Sequence, residues 1–365
     1  MILLSVSSVF GAIGAVLLAI LILLIMITVH EFGHYIAGKA LKFKINEFAI
    51  GFGPKLFRRT SKKTGEAFSI RLLPLGGFCA FDGEEGEGEN LDSFNNKAPW
   101  KRIIVLVSGP LMNYLLALLL IIVSLFSFGQ LLFKVVAVTP AGENYAQYSF
   151  YENDLITDID GKGIYLTTDL MYALKGKSEG DIVKVNVIRG GEKQTVEIML
   201  RGDCDFKNST ETDKLWTALG ILKNSSGQYY YGAESHRFGF FETLGRSFVY
   251  SFKIAGTIFK VLGELLTGHL GLSAMGGPVT TIKLTSQIAS QSVQNFFEIA
   301  AYIGINLAVF NLLPIPALDG SKVIFCLIEW IFRKPVPRKV EAVIHAVGFF
   351  LILGFAVLVD ILQFI

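Results

Sequence analysis

Four apolar stretches, each long enough to cross the roughly 30 Å hydrocarbon layer of a bilayer as a helix, constrain this chain more than anything else in it. Residues 1–29 and 103–128 contain no charged side chain, residues 296–313 carry Glu298 alone, and the last run covers 343–365. Lipid cannot hydrogen-bond a backbone, so runs of this length are predicted to be spanning helices. A cleaved leader is the rival reading of the first run. Against it, no basic segment precedes the run, its apolar part is too long, and no small-residue cleavage site separates it from His30. Composition agrees with a membrane protein, since 52% hydrophobic and 18% charged residues are too apolar for a soluble chain of 365 residues. A net charge of +2 provides no single-sign field, so no nucleic-acid partner is expected. Cys79, Cys204 and Cys326 are too scattered for a disulfide framework or a cysteine zinc site.

Basic residues orient the spans. The segment between the first two runs is rich in them, from Lys39 and Lys42 through Arg58, Arg59, Lys62 and Lys63 to Lys101 and Arg102, and the segment between the last two holds Lys322, Arg333, Lys334, Arg338 and Lys339. Both are therefore expected on the cytoplasmic side, which leaves the long middle segment outside. The predicted organisation is a polytopic α-helical membrane protein with four transmembrane helices. Its parts are a first span at 1–37, a cytoplasmic loop at 38–102 with a membrane-associated β-hairpin region, and a second span at 103–129. An extracytoplasmic α/β module at 130–205 and a connecting region at 206–295 follow, then a third span at 296–320, a cytoplasmic loop at 321–342 and a fourth span at 343–365.

Within the module, strands are expected at 135–138, 155–159, 183–188 and 195–198, a helix at 169–175, and tight turns at Asp160-Gly161 and Gly190-Gly191. In the connecting region, Glu242, Arg246, Lys253, Lys260 and Glu264 fall on one stripe of an otherwise apolar stretch, 240–266, which predicts a helix lying at the membrane interface rather than a fifth span. The cytoplasmic loop contains a strand-like run at 67–73, ended by Pro74 and Gly76-Gly77, and an acidic tract at 82–89 that reads as a solvated loop.

Chemistry concentrates in His30-Glu31-Phe32-Gly33-His34. On a helix the two histidines, four residues apart, share a face and can bind one Zn²⁺, with Glu31 beside the water that the metal activates. Ionisable residues are costly in a membrane helix and by default functional there. A catalytic zinc needs a third protein ligand, and Asp319, in Asn311-Leu312-Leu313-Pro314-Ile315-Pro316-Ala317-Leu318-Asp319-Gly320, is the carboxylate that the topology returns to the same membrane face. Pro314 and Pro316 break the helix there and free backbone groups to bond an extended substrate. The run 67–73, with Ile70 at its centre, is a candidate edge strand for capturing that substrate. Asn113, a polar residue inside the second span, either packs against a neighbouring helix or contacts the substrate. His236, His269 and His345 read as surface or packing residues.

At the HExxH and NxxPxPxLDG motifs the sequence resembles the site-2 protease family of intramembrane metalloproteases. The resemblance extends to Gly51-Phe52-Gly53-Pro54, Pro74-Leu75-Gly76-Gly77, Ser108-Gly109-Pro110-Leu111-Met112-Asn113 and Gly276-Gly277-Pro278-Val279. Asn153-Asp154-Leu155-Ile156 leading to Ile159-Asp160-Gly161-Lys162, with Val187-Ile188-Arg189-Gly190-Gly191 beyond, resembles a PDZ domain, and a single such module is similar to the bacterial RseP/RasP branch. The resemblance implies that His30, His34 and Asp319 bind zinc, that Glu31 activates water and that Asn311 helps hold the substrate strand. It implies a multi-pass enzyme of a bacterial plasma membrane, with its active site near the cytoplasmic face. That enzyme would cut single-span proteins already trimmed outside, such as anti-sigma factors or remnant signal peptides. The rival from another class is a non-catalytic PDZ-type scaffold with a structural metal. A metal transporter fits less well, because its polar residues should line a path across the bilayer.

Overall fold

Runs of Leu, Ile, Val and Ala propagate long helices, one of which continues through an internal Pro110, and the chain alternates these with two β regions. The computed structural model describes residues 6–84, 92–139, 147–207, 210–223, 227–271 and 276–364; residues 85–89 of the acidic tract lie outside these. In chain order the elements are α1 (Val6–Ala40), β1 (Ile45–Thr60), β2 (Ala67–Phe81), α2 (Pro99–Phe128), β3 (Gln130–Val135), β4 (Leu155–Ile159), β5 (Lys162–Gly163), α3 (Thr167–Leu174), β6 (Ile182–Arg189), β7 (Glu192–Met199), α4 (Thr212–Ala218) and β8 (Tyr231–His236). Then come α5 (Phe240–Leu266), α6 (Pro278–Ala289), α7 (Val293–Leu312), α8 (Asp319–Phe332) and α9 (Arg338–Phe364). Among the described residues, four stretches are helical, long and apolar enough to cross a membrane: Ile13–Ala40, Pro99–Phe128, Val293–Leu312 and Arg338–Gln363. These are the four predicted spans, and α5, although 27 residues long, is not among them.

The chain divides into two compact units. The first comprises Met1–Ile121 and Leu272–Ile365. Here α7 stops at Leu312 because Pro314 forces Leu313 into extended backbone, with ψ 147°. Asp319 therefore opens a new helix instead of lying inside the third span, and much of the loop expected at 321–342 is α8. Small residues bring the helices together: Gly304 of α7 lies against Ala117 of α2 and Met26 of α1. The connecting region contributes α6, whose first turn is held by Asp360 of α9 through the N–H groups of Val279 (3.0 Å) and Thr280 (3.2 Å).

The hairpin of this unit is longer than its sequence suggests. Glycines at 51 and 53, with φ of 87° and 81°, let β1 bend, and β2 continues through Pro74 to Phe81. Residues 47–50 consequently have two partners each, one among 77–80 and one among 67–70. Phe43, Ile45, Phe48, Phe81 and Phe94 pack this sheet against Val105 and Leu106 of α2. The expected edge at 67–73 is corrected by this register. Ile70 has Ile50 on one side and Phe57 on the other, so 67–70 lies inside the sheet and a proline there would break it. Among the described residues, two segments have a strand on one side only, 57–60 and 77–80, and of these 77–80 is the one that reaches Glu31.

The second unit, Ile122–Gly271, holds a sheet in the order β7-β6-β4-β3-β8, with β5 beside β4. Its core is formed by Ile156, Ile159, Leu170, Val185, Leu215 and Trp216 among others. The predicted turns are present. Gly190 and Gly191 both adopt positive φ, which closes β6 onto β7 through a two-residue loop with the twist a hairpin needs. One strand is displaced from expectation: β3 ends at Val135, and Val138 makes only an isolated bridge to Ile221. The polar stripe of α5 faces this module rather than water. Lys253 bonds Asp169 at 2.8 Å, Arg246 bonds Gln130 at 2.6 Å, and Lys260 lies over the ring of Tyr172. The opposite face leaves Phe241, Phe248, Phe252 and Phe259 exposed.

Candidate metal centre

Helix α1 runs without a break through 30–34, so His30 and His34 project from one face, one turn apart. Each ring is oriented from behind by α2. The Nδ1–H of His34 donates to the Val105 carbonyl at 2.8 Å, which leaves a lone pair on its Nε2. Nδ1 of His30 faces the amide of Asn113 at 3.5 Å, and Asn113 is 1% exposed. With that amide turned so that its oxygen faces the ring, Asn113 accepts from His30 Nδ1–H, its buried Oδ1 gains a partner, and His30 also presents a bare Nε2.

The third group comes from α8. Oδ2 of Asp319 is 3.0 Å from Nε2 of His30 and 3.4 Å from Nε2 of His34, and the two Nε2 atoms are 3.1 Å apart. His30, His34 and Asp319 are the group of potential metal ligands found among the described residues. Three electron-pair donors aimed at one point repel one another unless a cation lies between them. A tetrahedral zinc about 2.0–2.2 Å from nitrogen and oxygen ligands sets those ligands roughly 3.3–3.5 Å apart, near the spacing seen here. The residues fit the metal.

Two glycines make this approach possible. A Cβ on Gly33 would overlap the Ser108 carbonyl, and one on Gly109 would overlap the imidazole of His34, so α1 and α2 touch backbone to backbone beside the ligands. Glu31 points to the neighbouring face, where Oε2 accepts the Cys79 N–H of β2 at 2.9 Å. Burial, reinforced by the negative charges of Glu31, Glu84 and Glu66, pushes the Cys79 thiol far above its ordinary pKa, so this cysteine stays protonated beside the site. His30, Glu31, His34 and Asp319 line a cavity of 1190 Å³. In the same cavity, Lys322 meets Glu84 at 2.7 Å; burial disfavours the ammonium, but Glu84 holds its pKa above the usual lysine range.

Of the other predicted site residues, all among those described, Asn113 faces His30, and the rest make no hydrogen bond to the three potential metal ligands. Asn311 is half-buried in the last turn of α7, Pro314 is exposed, Pro316 packs under α9 and Ile70 belongs to the sheet interior. Sequence reasoning attached no role to Gly109, although it stands in a quoted motif, and none to Val105, whose part is played by a backbone carbonyl that no side-chain pattern reveals.

These observations define a group of three side chains able to hold one metal ion in a chain with four membrane-length apolar helices, and comparison with known proteins identifies the class. The sequence profile of peptidase family M50 matches residues 18–355. A Clostridium perfringens protein provisionally named a zinc metalloprotease is 34% identical over 351 residues, covering 95% of this chain and 97% of its own length. Similarly named proteins from Fusobacterium nucleatum and Campylobacter jejuni are each 30% identical over 94% and 93% of this chain, and 97% and 90% of their own lengths. The chain belongs to peptidase family M50, the site-2 protease family of membrane zinc metalloproteases.

Proposed function

We propose that His30, His34 and Asp319 hold the zinc, that Glu31 is the general base, and that the protein cuts transmembrane segments of single-span proteins within the membrane. The convergence of three electron-pair donors beside the Glu31 carboxylate, one of whose oxygens is held by the Cys79 N–H, carries this reading. When bound, zinc polarises the scissile carbonyl and acidifies water toward a pKa of about 7. Glu31 takes the proton from the attacking water and passes it to the departing amine, after which peptide-bond cleavage is complete. Asn113 and Val105 keep the imidazole tautomers fixed throughout. A scaffold with a structural metal has no use for a carboxylate placed like that of Glu31.

A helical substrate hides its peptide bonds, so it must become extended at the site. Segment 77–80 has a strand on one side only and borders Glu31, which takes its Cys79 N–H, and this open side supports strand addition there. Basic residues at 39–63 and 322–339 support an active site near the cytoplasmic face of a bacterial plasma membrane, with 130–205 outside. The exposed phenylalanines of α5 support its lying in the outer interface, where it and the module would admit only substrates already shorn of bulky ectodomains, such as anti-sigma factors or remnant signal peptides.

The direct test uses purified protein in detergent and a single-span substrate with a helix-breaking residue. Stripping the metal with a chelator should abolish cleavage, and stoichiometric zinc should restore it; cleavage that survives complete removal of metal rejects the reading. Strand addition has its own signature. Proline placed successively through the cleavage segment of the substrate should block cutting at alternate positions, the period of a strand. A block repeating every three to four residues, or none, would exclude it.

A further inference from the structure

Sequence leaves α9 as a plain membrane anchor, yet two of its residues reach the loop that carries Asp319. Between Leu312 and Asp319 the chain passes Pro314 and Pro316, which have no N–H to give. The Leu313 N–H bonds the Phe310 carbonyl of α7 at 3.0 Å, the Ile315 N–H bonds the Leu313 carbonyl at 2.7 Å and the Leu318 N–H bonds the Ile315 carbonyl at 3.1 Å. The remaining donor, the Ala317 N–H, goes to α9: it donates to Nδ1 of His345 at 3.0 Å. Ala317 has φ 76°, in the left-handed region that a side-chain-bearing residue adopts only when its surroundings hold it there. One turn along the same face of α9, Gly348 lets the loop in, because a Cβ at that position would overlap Pro316.

We propose that His345 is a positioning residue for the metal centre: by accepting the Ala317 N–H through Nδ1, it holds the turn that aims the Asp319 carboxylate at His30 and His34. The proposal rests on Asp319 being a zinc ligand. It gives α9 a share in building a site to which it contributes no ligand. It also fixes the imidazole tautomer, because an Nδ1 that accepts leaves the ring proton on Nε2. Nε2 has no hydrogen-bond partner among the described residues, the nearest acid, Glu341, being 3.9 Å away. The ring also stands edge-on to Phe325, so loss of packing has to be told apart from loss of the acceptor.

Zinc affinity, read by competition with a chromophoric chelator on the full-length protein, makes that distinction. His345→Asn offers an oxygen near the place of Nδ1 and should bind zinc within about threefold of the wild type. His345→Gln carries its oxygen near the place of Nε2, and His345→Phe keeps a ring with no acceptor; both should weaken zinc by roughly tenfold or more, the scale of one buried donor left unsatisfied. Adding Ala317→Gly to His345→Phe should recover part of that loss, since glycine holds φ 76° without help. A packing role predicts no rescue by Asn and none by Ala317→Gly. Wild-type affinity in His345→Phe, or equal losses in Asn and Gln, overturns the proposal. Asp319→Asn separates it from its premise. If that variant binds zinc normally, the ligand assignment falls and the proposal with it; if it loses zinc while His345→Phe does not, only the proposal falls.

Discussion

Glu31→Gln should keep its zinc and lose its proteolysis. The substitution exchanges one oxygen for an NH₂ of nearly the same size, and the new amide still has an oxygen to accept the Cys79 N–H that holds Glu31 at 2.9 Å. The imidazoles and Asp319 are untouched, so bound zinc should stay at one per chain. What disappears is the capacity to take a proton from water and return it to the amine, a contribution of about 10²–10⁴ in rate for a positioned general base. Cleavage of a single-span substrate should therefore fall by roughly a thousandfold with little change in substrate binding, because the lost interaction acts on the transition state alone. Retained zinc with cleavage within tenfold of the wild type would remove Glu31 from the mechanism. Loss of zinc would mean that Glu31 belongs to the metal shell.

Gly109→Ala adds one methyl group and should empty the site. The new Cβ would lie inside the van der Waals envelope of Nε2 and Cε1 of His34 and in close contact with Cε1 of His30. Relief requires either that α2 back away, which carries the Val105 carbonyl off the Nδ1–H of His34, or that the imidazole rotate out of line with Asp319. Overpacking a tight contact costs about 1–3 kcal/mol, and the strain falls directly on a ligand, so zinc affinity should drop by roughly a hundredfold. Gly14→Ala is the matched control, since a Cβ there meets nothing within 4 Å; it should leave metal content unchanged. Full zinc occupancy in Gly109→Ala would show that α1 and α2 can part without disturbing the ligands.

These two glycines illustrate how much of the site could be read from the chain. The spans were legible because twenty uninterrupted apolar residues have few fates, and the histidine pair because helical spacing alone brings its members together. Asp319 was legible by chemistry, as a carboxylate near the end of a predicted span, and it does lie with the histidine pair; the helix it begins was not, because α8 follows a double-proline break that reads as loop. Ile70 was misjudged for a different reason. Whether a strand is an edge depends on register, and the glycine-containing bend of β1 that gives 67–70 a second neighbour leaves no periodic signal. His345 looked idle because its partner is a backbone N–H 28 residues away in sequence, and backbone donors have no letter.

Under the proposed strand addition, the open side of 77–80 governs how such an enzyme chooses what to cut. A backbone edge offers the same N–H and C=O pattern to every sequence and cannot spell out a consensus. Discrimination then passes to the substrate's own willingness to give up its helical form inside lipid. Cleavage sites gathered from many clients would share little in residue identity and much in conformational softness, so the vocabulary of this protease would be one of weak helices rather than of words.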